Sequence, residues 1–478
     1  MNRALRDYLS HVSREAASDP TSAVSGLSRR GFLKGASAGA ATIAFTALSQ
    51  NAMARGWRHR PGADYGPLLP TRDEVTGLPL INLPRGFRYQ TYGWTGQALI
   101  DGQPTPEDHD GMAVVARKGR RIALVRNHEL SPNESPAALC DGADYDPAER
   151  GGTTNLVFDL RRERFEASWC SLSGTNRNCA GGATPWGSWI TCEETFPTFV
   201  PGALNHGYVF EVPGFGIGNP TPIRAAGRFA HEAVAIDPRS GVMYETEDAT
   251  PSALYRFEPT TWGNLHAGGT LTALAIVGEP DKDMTGGLAA GAHWQVEWVP
   301  VGDPEGTVGR PFDSAPGAAG FARLEGCWYD SGLVYFVSTS GGAAGLGQVY
   351  AYDPRHERLT LLFESPSSEV VDGPDNIAVS PRGGILLCED GDNDPQRLVG
   401  LSVRGEAFPF AENAIALTAT DLATVDRAFP GAASAIAPGV YTGSEWAGAT
   451  FYEEWLFVNI QTPGVTFAIT GPWKRGAL

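Results

Sequence analysis

Long apolar runs are missing from this sequence. The nearest approach, residues 35–48, spans about 14 residues, is rich in Gly, Ala, Ser and Thr, and falls short of the ~20 that a membrane helix needs. Basic clusters are missing too: 37 Lys and Arg stand against 54 Asp and Glu, a formal net charge of −17. A nucleic-acid binder needs the opposite balance, and the surplus carboxylates are available to hard cations. Among six cysteines no C-x-x-C pair occurs. Beyond residues 1–54 no G-x-S-x-G elbow occurs, and a P-loop, an H-E-x-x-H pair and a Rossmann glycine fingerprint are all absent, so no serine nucleophile or nucleotide cradle is indicated. The glycines follow no G-X-Y period, which excludes collagen.

Glycine (59) and proline (35) are abundant, and 10% of residues are aromatic, including 12 Trp. Such a chain is neither disordered nor a long helical bundle. It reads as a large globular protein of many short strands and turns.

Residues 1–54 read as a removable twin-arginine export signal. Ser28-Arg29-Arg30-Gly31-Phe32-Leu33-Lys34 precedes the weak apolar stretch, and Ala52-Met53-Ala54 offers small residues for a signal peptidase. Residues 55–478 are expected to form one domain, exported to the periplasm or beyond, with no stable membrane anchor. Its partners are then the twin-arginine export machinery and a small molecule, not nucleic acid. An oxidising compartment permits disulfides, but Cys192, Cys327 and Cys388 lie in apolar strand-like runs and read as buried thiols.

A unit of paired β runs recurs six times at irregular spacing: 122–129 with 154–160, 188–195 with 208–212, 242–248 with 254–258, 333–340 with 349–354, 385–390 with 398–403, and 455–461 with 465–470. One further short β motif precedes each pair. The fold class is therefore all-β, a six-bladed β-propeller with loop insertions between strands; a β-sandwich pair is the competing architecture.

In a propeller the first strand of each blade lines the central channel. The starts of these strands are Asp110, Cys179, Glu232, Glu325 and Asp375, with Ala447 as the sixth. Four carboxylates and a thiol at one mouth raise each other's pKa unless cations neutralise them. Carboxylates suit calcium, whereas a thiolate calls for a more Lewis-acidic metal such as iron or zinc. Arg323, two residues before Glu325, is expected on the same side of the strand. Further acids near the ends of second strands could form an outer shell: Glu129 beside His128, Glu194 beside Glu193, Asp248 beside Glu247, and Asp390 near Asp392. His231 beside Glu232 reads as a packed histidine.

The segments 174–182, 184–194, 227–232, 323–325, 374–376 and 457–464 carry a family likeness, the one around Cys179 being the most specific. Here the sequence resembles the PhoX family of secreted alkaline phosphatases. The resemblance implies a phosphomonoesterase with iron and calcium at the propeller axis. It implies Cys179, Glu232, Glu325 and Asp375 as metal ligands, with Asp110, Glu129 and Glu194 added by the repeat, and Arg323 and Glu325 as the catalytic pair on a small phosphate ester. The rival readings are a calcium-dependent propeller lactonase or esterase, which needs no thiolate, and a non-catalytic secreted binding propeller.

Overall fold

The computed structural model describes residues 1–18 and 64–478. The twin-arginine motif, its apolar stretch and the cleavage site lie outside the described residues. The described part opens with one helix, α1 (Arg3–Ser18), and is otherwise dominated by antiparallel sheet.

Three strands lead in: β1 (Leu68–Thr71), β2 (Ile81–Pro84) and β3 (Arg88–Tyr92). Next come β4 (His109–Lys118), β5 (Arg121–His128), β6 (Gly151–Asp159) and β7 (Arg164–Thr175), a four-stranded sheet in chain order. A three-stranded sheet holds β8 (Asn178–Ala183), β9 (Ser188–Glu193) and β10 (Val209–Pro213). A nine-stranded sheet follows. One half is β11 (His231–Ile236), β12 (Met243–Glu247), β13 (Tyr255–Pro259), β14 (Gly269–Ile276) and β15 (His293–Pro300). The other is β16 (Leu324–Asp330), β17 (Leu333–Ser338), β18 (Gln348–Asp353) and β19 (Arg358–Glu364), joined to the first where β15 pairs β19. The strands β20 (Pro374–Val379), β21 (Ile385–Glu389), β22 (Arg397–Leu401) and β23 (Ala407–Asn413) come next. A short β24 (Ala416–Leu417) and β25 (Gly439–Val440) flank helices α2 (Ala419–Ala428) and α3 (Ala432–Ala435). The chain ends on β26 (Trp446–Tyr452), β27 (Trp455–Ile460) and β28 (Val465–Thr470).

Six strands, β4, β8, β11, β16, β20 and β26, each open a run of antiparallel pairs, and each packs on the next until β26 meets β4 again. The ring is stitched by strands from the start of the chain. β3 pairs β28 to complete the last sheet, and β2 pairs β23 to extend the one before it. Strands buried on both faces, such as β5 (RIALVRNH) and β6 (GGTTNLVFD), have no solvent face to alternate against.

The six inner strands share one backbone feature. Each carries a register shift against its second strand at its start: between His109 and Met112, Asn178 and Gly181, His231 and Val234, Leu324 and Cys327, Pro374 and Ile377, and Ala447 and Thr450. A bulge leaves a residue out of the ladder and re-aims its side chain. The first residues inside these bulges are Asp110, Cys179, Glu232, Glu325, Asp375 and Gly448. The register therefore corrects the sixth position by one residue, from Ala447 to Gly448, where glycine leaves no side chain. Close approach between neighbouring inner strands explains that glycine: a Cβ on Gly448 would lie 2.7 Å from the Asp110 carbonyl oxygen.

Candidate metal centre

Backbone bonds across each sheet fix the site. The residue just after each second strand donates its N–H to the carbonyl of a residue just before the inner strand's bulge. The six pairs are Glu129 to Asp108 (3.0 Å), Glu194 to Arg177 (2.9 Å), Asp248 to Ala230 (3.0 Å), Thr339 to Arg323 (2.9 Å), Asp390 to Gly373 (2.9 Å) and Gln461 to Glu445 (3.3 Å). Three tiers of side chains thus come from one repeated geometry: bulge residues, residues before them, and ends of second strands. Second-strand side chains also pin the neighbouring bulge. Asn127 Nδ2 donates to the Cys179 and Ala180 carbonyls at 3.0 and 2.6 Å, Thr246 Oγ1 to the Glu325 carbonyl at 2.6 Å, and Asn459 Nδ2 to the Asp110 carbonyl at 2.6 Å.

The donors gather into four groups, each with its three ligand atoms within 4.8 Å of one another. They are Cys179, Glu194 and Glu232; Glu232, Glu325 and Asp375; Asp375, Asp390 and Glu445; and Asp110, Glu129 and Glu445. Successive groups share Glu232, Asp375 and Glu445, so nine residues form one continuous arc. All seven metal ligands expected from sequence lie on it. Arg177 closes the arc between its ends, with Nη2 2.7 Å from Glu129 and also bonded to Glu194.

The electrostatics are those of too many acids in too little water. Burial, reinforced by neighbouring carboxylates, holds Asp110, Glu232, Glu325 and Glu445 well above the ordinary carboxylate range. For the same reasons Glu129 is pushed up to about 8 and Asp375 to about 7. Burial and the nearby Glu232 push the Cys179 thiol up as well, and its Sγ sits 3.3 Å from the His231 carbonyl. Glu445 Oε1 is buried with no hydrogen-bond partner. Such a donor set fits multivalent cations: the thiol-bearing group suits a Lewis-acidic transition metal, and the all-oxygen groups suit hard ions.

Arg323 is not in the strand, as alternation would have placed it, but before it at φ 46°. It still reaches Glu325, with Nη2 2.8 Å from Oε1, while Asp248 takes Nε at 2.8 Å and Nη2 at 3.0 Å. None of these bonds uses Nη1.

Sequence reasoning missed Glu445; Asp390, expected in an outer shell, falls in one group with Asp375 and Glu445. Glu445 precedes an inner strand whose bulge carries glycine, so no acid marks the repeat there; its partnership with Gln461 is visible only in the fold. Other acids near second-strand ends serve the scaffold. Glu193 accepts from the backbone N–H groups of Asn176, Gly207 and Tyr208 and from His206. Glu247 accepts from Tyr255 and faces Arg310. Asp392 belongs to none of the four groups. His231 is a packed histidine: Nδ1 donates to the Gly207 carbonyl, and burial lowers its pKa to about 3. Its Nε2 lies 3.0 Å from Glu245 Oε2, a carboxyl that burial holds well above the ordinary range. All six cysteines are free and buried.

A family model described as alkaline phosphatase PhoX matches residues 63–464. The chain belongs to this family. It is accordingly a metal-dependent phosphatase, a phosphomonoester hydrolase, which decides against the lactonase and binding-module readings. Among solved structures, it is similar to Pseudomonas fluorescens PhoX in complex with vanadate, a transition-state analogue, at 17% identity and TM-score 0.60, over 88% of this chain and 99% of that one. More distant likenesses include a gluconolactonase from Xanthomonas campestris (12% identity, TM-score 0.39, 88% of this chain and 99% of that one) and a virginiamycin B lyase from Staphylococcus aureus (11%, 0.38, 80% and 99%). No curated protein sequence matches the chain.

Proposed function

We propose that this PhoX-family enzyme hydrolyses small phosphate monoesters at an iron and calcium cluster on the axis of a six-bladed β-propeller. The observation carrying this reading is the arc of four donor groups linked through Glu232, Asp375 and Glu445. Cys179, with Glu194 and Glu232, would hold iron. Glu325, Asp375, Asp390, Glu445, Asp110 and Glu129 would hold calcium. When bound, the ions would supply positive charge for the phosphoryl oxygens and lower the pKa of a water so that, after losing a proton to solvent, it can attack phosphorus as hydroxide.

The chain's own residues do the rest. Asp248 and Glu325 fix the Arg323 guanidinium, leaving Nη1 for a phosphate oxygen. Glu325 thereby ties the substrate arm to the ligand set, so Arg323 and Glu325 act as the catalytic pair. The chain is synthesised with a leader, residues 1–54, that directs it through the twin-arginine machinery to the periplasm or beyond; residues 55–478 are the working domain. Support for export comes from the sequence motif Ser28–Lys34 and the small residues at Ala52-Met53-Ala54.

Elemental analysis of protein purified without chelator, paired with p-nitrophenyl phosphate hydrolysis, tests the reading. Iron with calcium and turnover is the expected result. Turnover by protein holding neither metal would overturn the cluster.

A further inference from the structure

Helix α1 lies ahead of the export motif, yet it is packed against the folded body. Its sequence places Leu5, Tyr8, Leu9 and Val12 at i, i+3, i+4 and i+7, one face of a helix. Leu5 is 3% and Val12 0% exposed. The face that receives Leu5, Tyr8 and Leu9 comprises Val157 from β6, Trp169 from β7, Ile100 from the loop before β4, and Phe215 and Ile217 from the loop after β10.

Charge follows the same match. Glu15 pairs with Arg121, the first residue of β5, at 2.5 Å and with Arg120, in the turn before it, at 3.2 Å. At the other end the Met1 amine pairs with Asp141 at 3.1 Å. Asn2 and Arg3 there wall a cavity of about 610 Å³ together with Asp101, Asp141 and Asp144. A 16-residue helix alone is marginal in water, so its order rests on this docking.

We propose that this face is a receptor for the chain's own leader: α1 binds it in the unprocessed chain and leaves it vacant once the leader is removed. The receptor draws on segments from residue 100 to residue 217, in two sheets. The complete surface exists only once both sheets are folded and packed. Docking therefore reports a finished domain, and it anchors the start of the segment that carries the export motif. Removal exposes Trp169 and its apolar neighbours.

Hydrogen exchange on the full chain tests the docking independently of catalysis and of export. Amides of residues 8–16 are expected to exchange at least about tenfold slower than in a synthetic peptide of residues 1–18. Leu5→Asp with Val12→Asp is expected to abolish that protection while β20–β22 amides stay protected, showing that the body remains folded. Equal rates in chain and peptide, or protection surviving the double substitution, would overturn the proposal. Vacancy is read on the processed protein: the peptide of residues 1–18 should bind it and quench or shift Trp169 fluorescence. A processed protein that does not bind the peptide would refute the receptor.

Discussion

Arg177 and Arg323 occupy the same place in two different sheets. Each lies two residues before a bulge donor, at φ 50° and 46°, and each carbonyl accepts the N–H of the residue just after its second strand. Positive φ is costly for a residue with a Cβ and persists where the surrounding ladder enforces it. The two guanidiniums differ in partners. Arg177 spans Glu129 and Glu194, two donors of the arc, whereas Arg323 spans one donor, Glu325, and one residue outside it, Asp248.

Their substitutions should therefore separate. Arg323→Ala is expected to lower kcat/KM about 10- to 100-fold, the loss of charge-assisted hydrogen bonds to phosphate, with metal content kept. Arg177→Ala should instead lower the melting temperature of chelated protein, because Glu129 and Glu194 lose their shared cation. Unchanged steady-state kinetics in Arg323→Ala would remove that residue from the substrate.

Cys179→Ser and Glu325→Gln should each reduce p-nitrophenyl phosphate hydrolysis to background with near-ultraviolet circular dichroism unchanged. The first should also lose iron. Full activity in both variants would end the site assignment.

Glu445 belongs to two of the three all-oxygen groups and to neither of the groups containing Glu232. Glu445→Gln is thus expected to weaken calcium binding at least ~10-fold while iron content stays. Loss of both metals together would show that the arc does not divide in this way.

The metal-free protein should lose stability as pH rises. Folded Glu129 and Asp375 keep their protons up to about 8 and about 7, whereas the unfolded chain releases them near 4.5 and 3.8. Between those limits the folded state binds more protons, so its stability falls with increasing pH. Melting temperatures of chelated protein should drop, on the order of 5 °C, between pH 5 and pH 8. Added calcium should restore more at pH 8 than at pH 5, since cations replace the retained protons. A flat or rising profile would contradict the raised carboxyl groups.

The inner strands were legible in the sequence because each starts with a recognisable β motif, and five of the six bulge residues carry a donor. Glu129 and Glu194 could be found because they sit at the ends of visible strands. Three things were not legible. The bulge at Gly448 has no side chain to announce it, which shifted the sixth position by one residue and hid Glu445. The fusion of two sheets through β15 and β19 depends on long-range pairing that no local pattern encodes. The left-handed turn at Arg323 replaces the strand alternation assumed for it, although the side chain still meets Glu325.

The recurring bulge has a consequence for how such a centre can change. At each inner strand the donor projects from a backbone irregularity that does not depend on which side chain it bears, as Cys179, Glu232 and Gly448 show side by side. The scaffold sets where a group stands, and the residue identity sets what it binds. Exchanging one donor for another leaves the adjoining ladders intact, so the inorganic chemistry of this chamber can be rewritten one position at a time without redesigning the architecture around it.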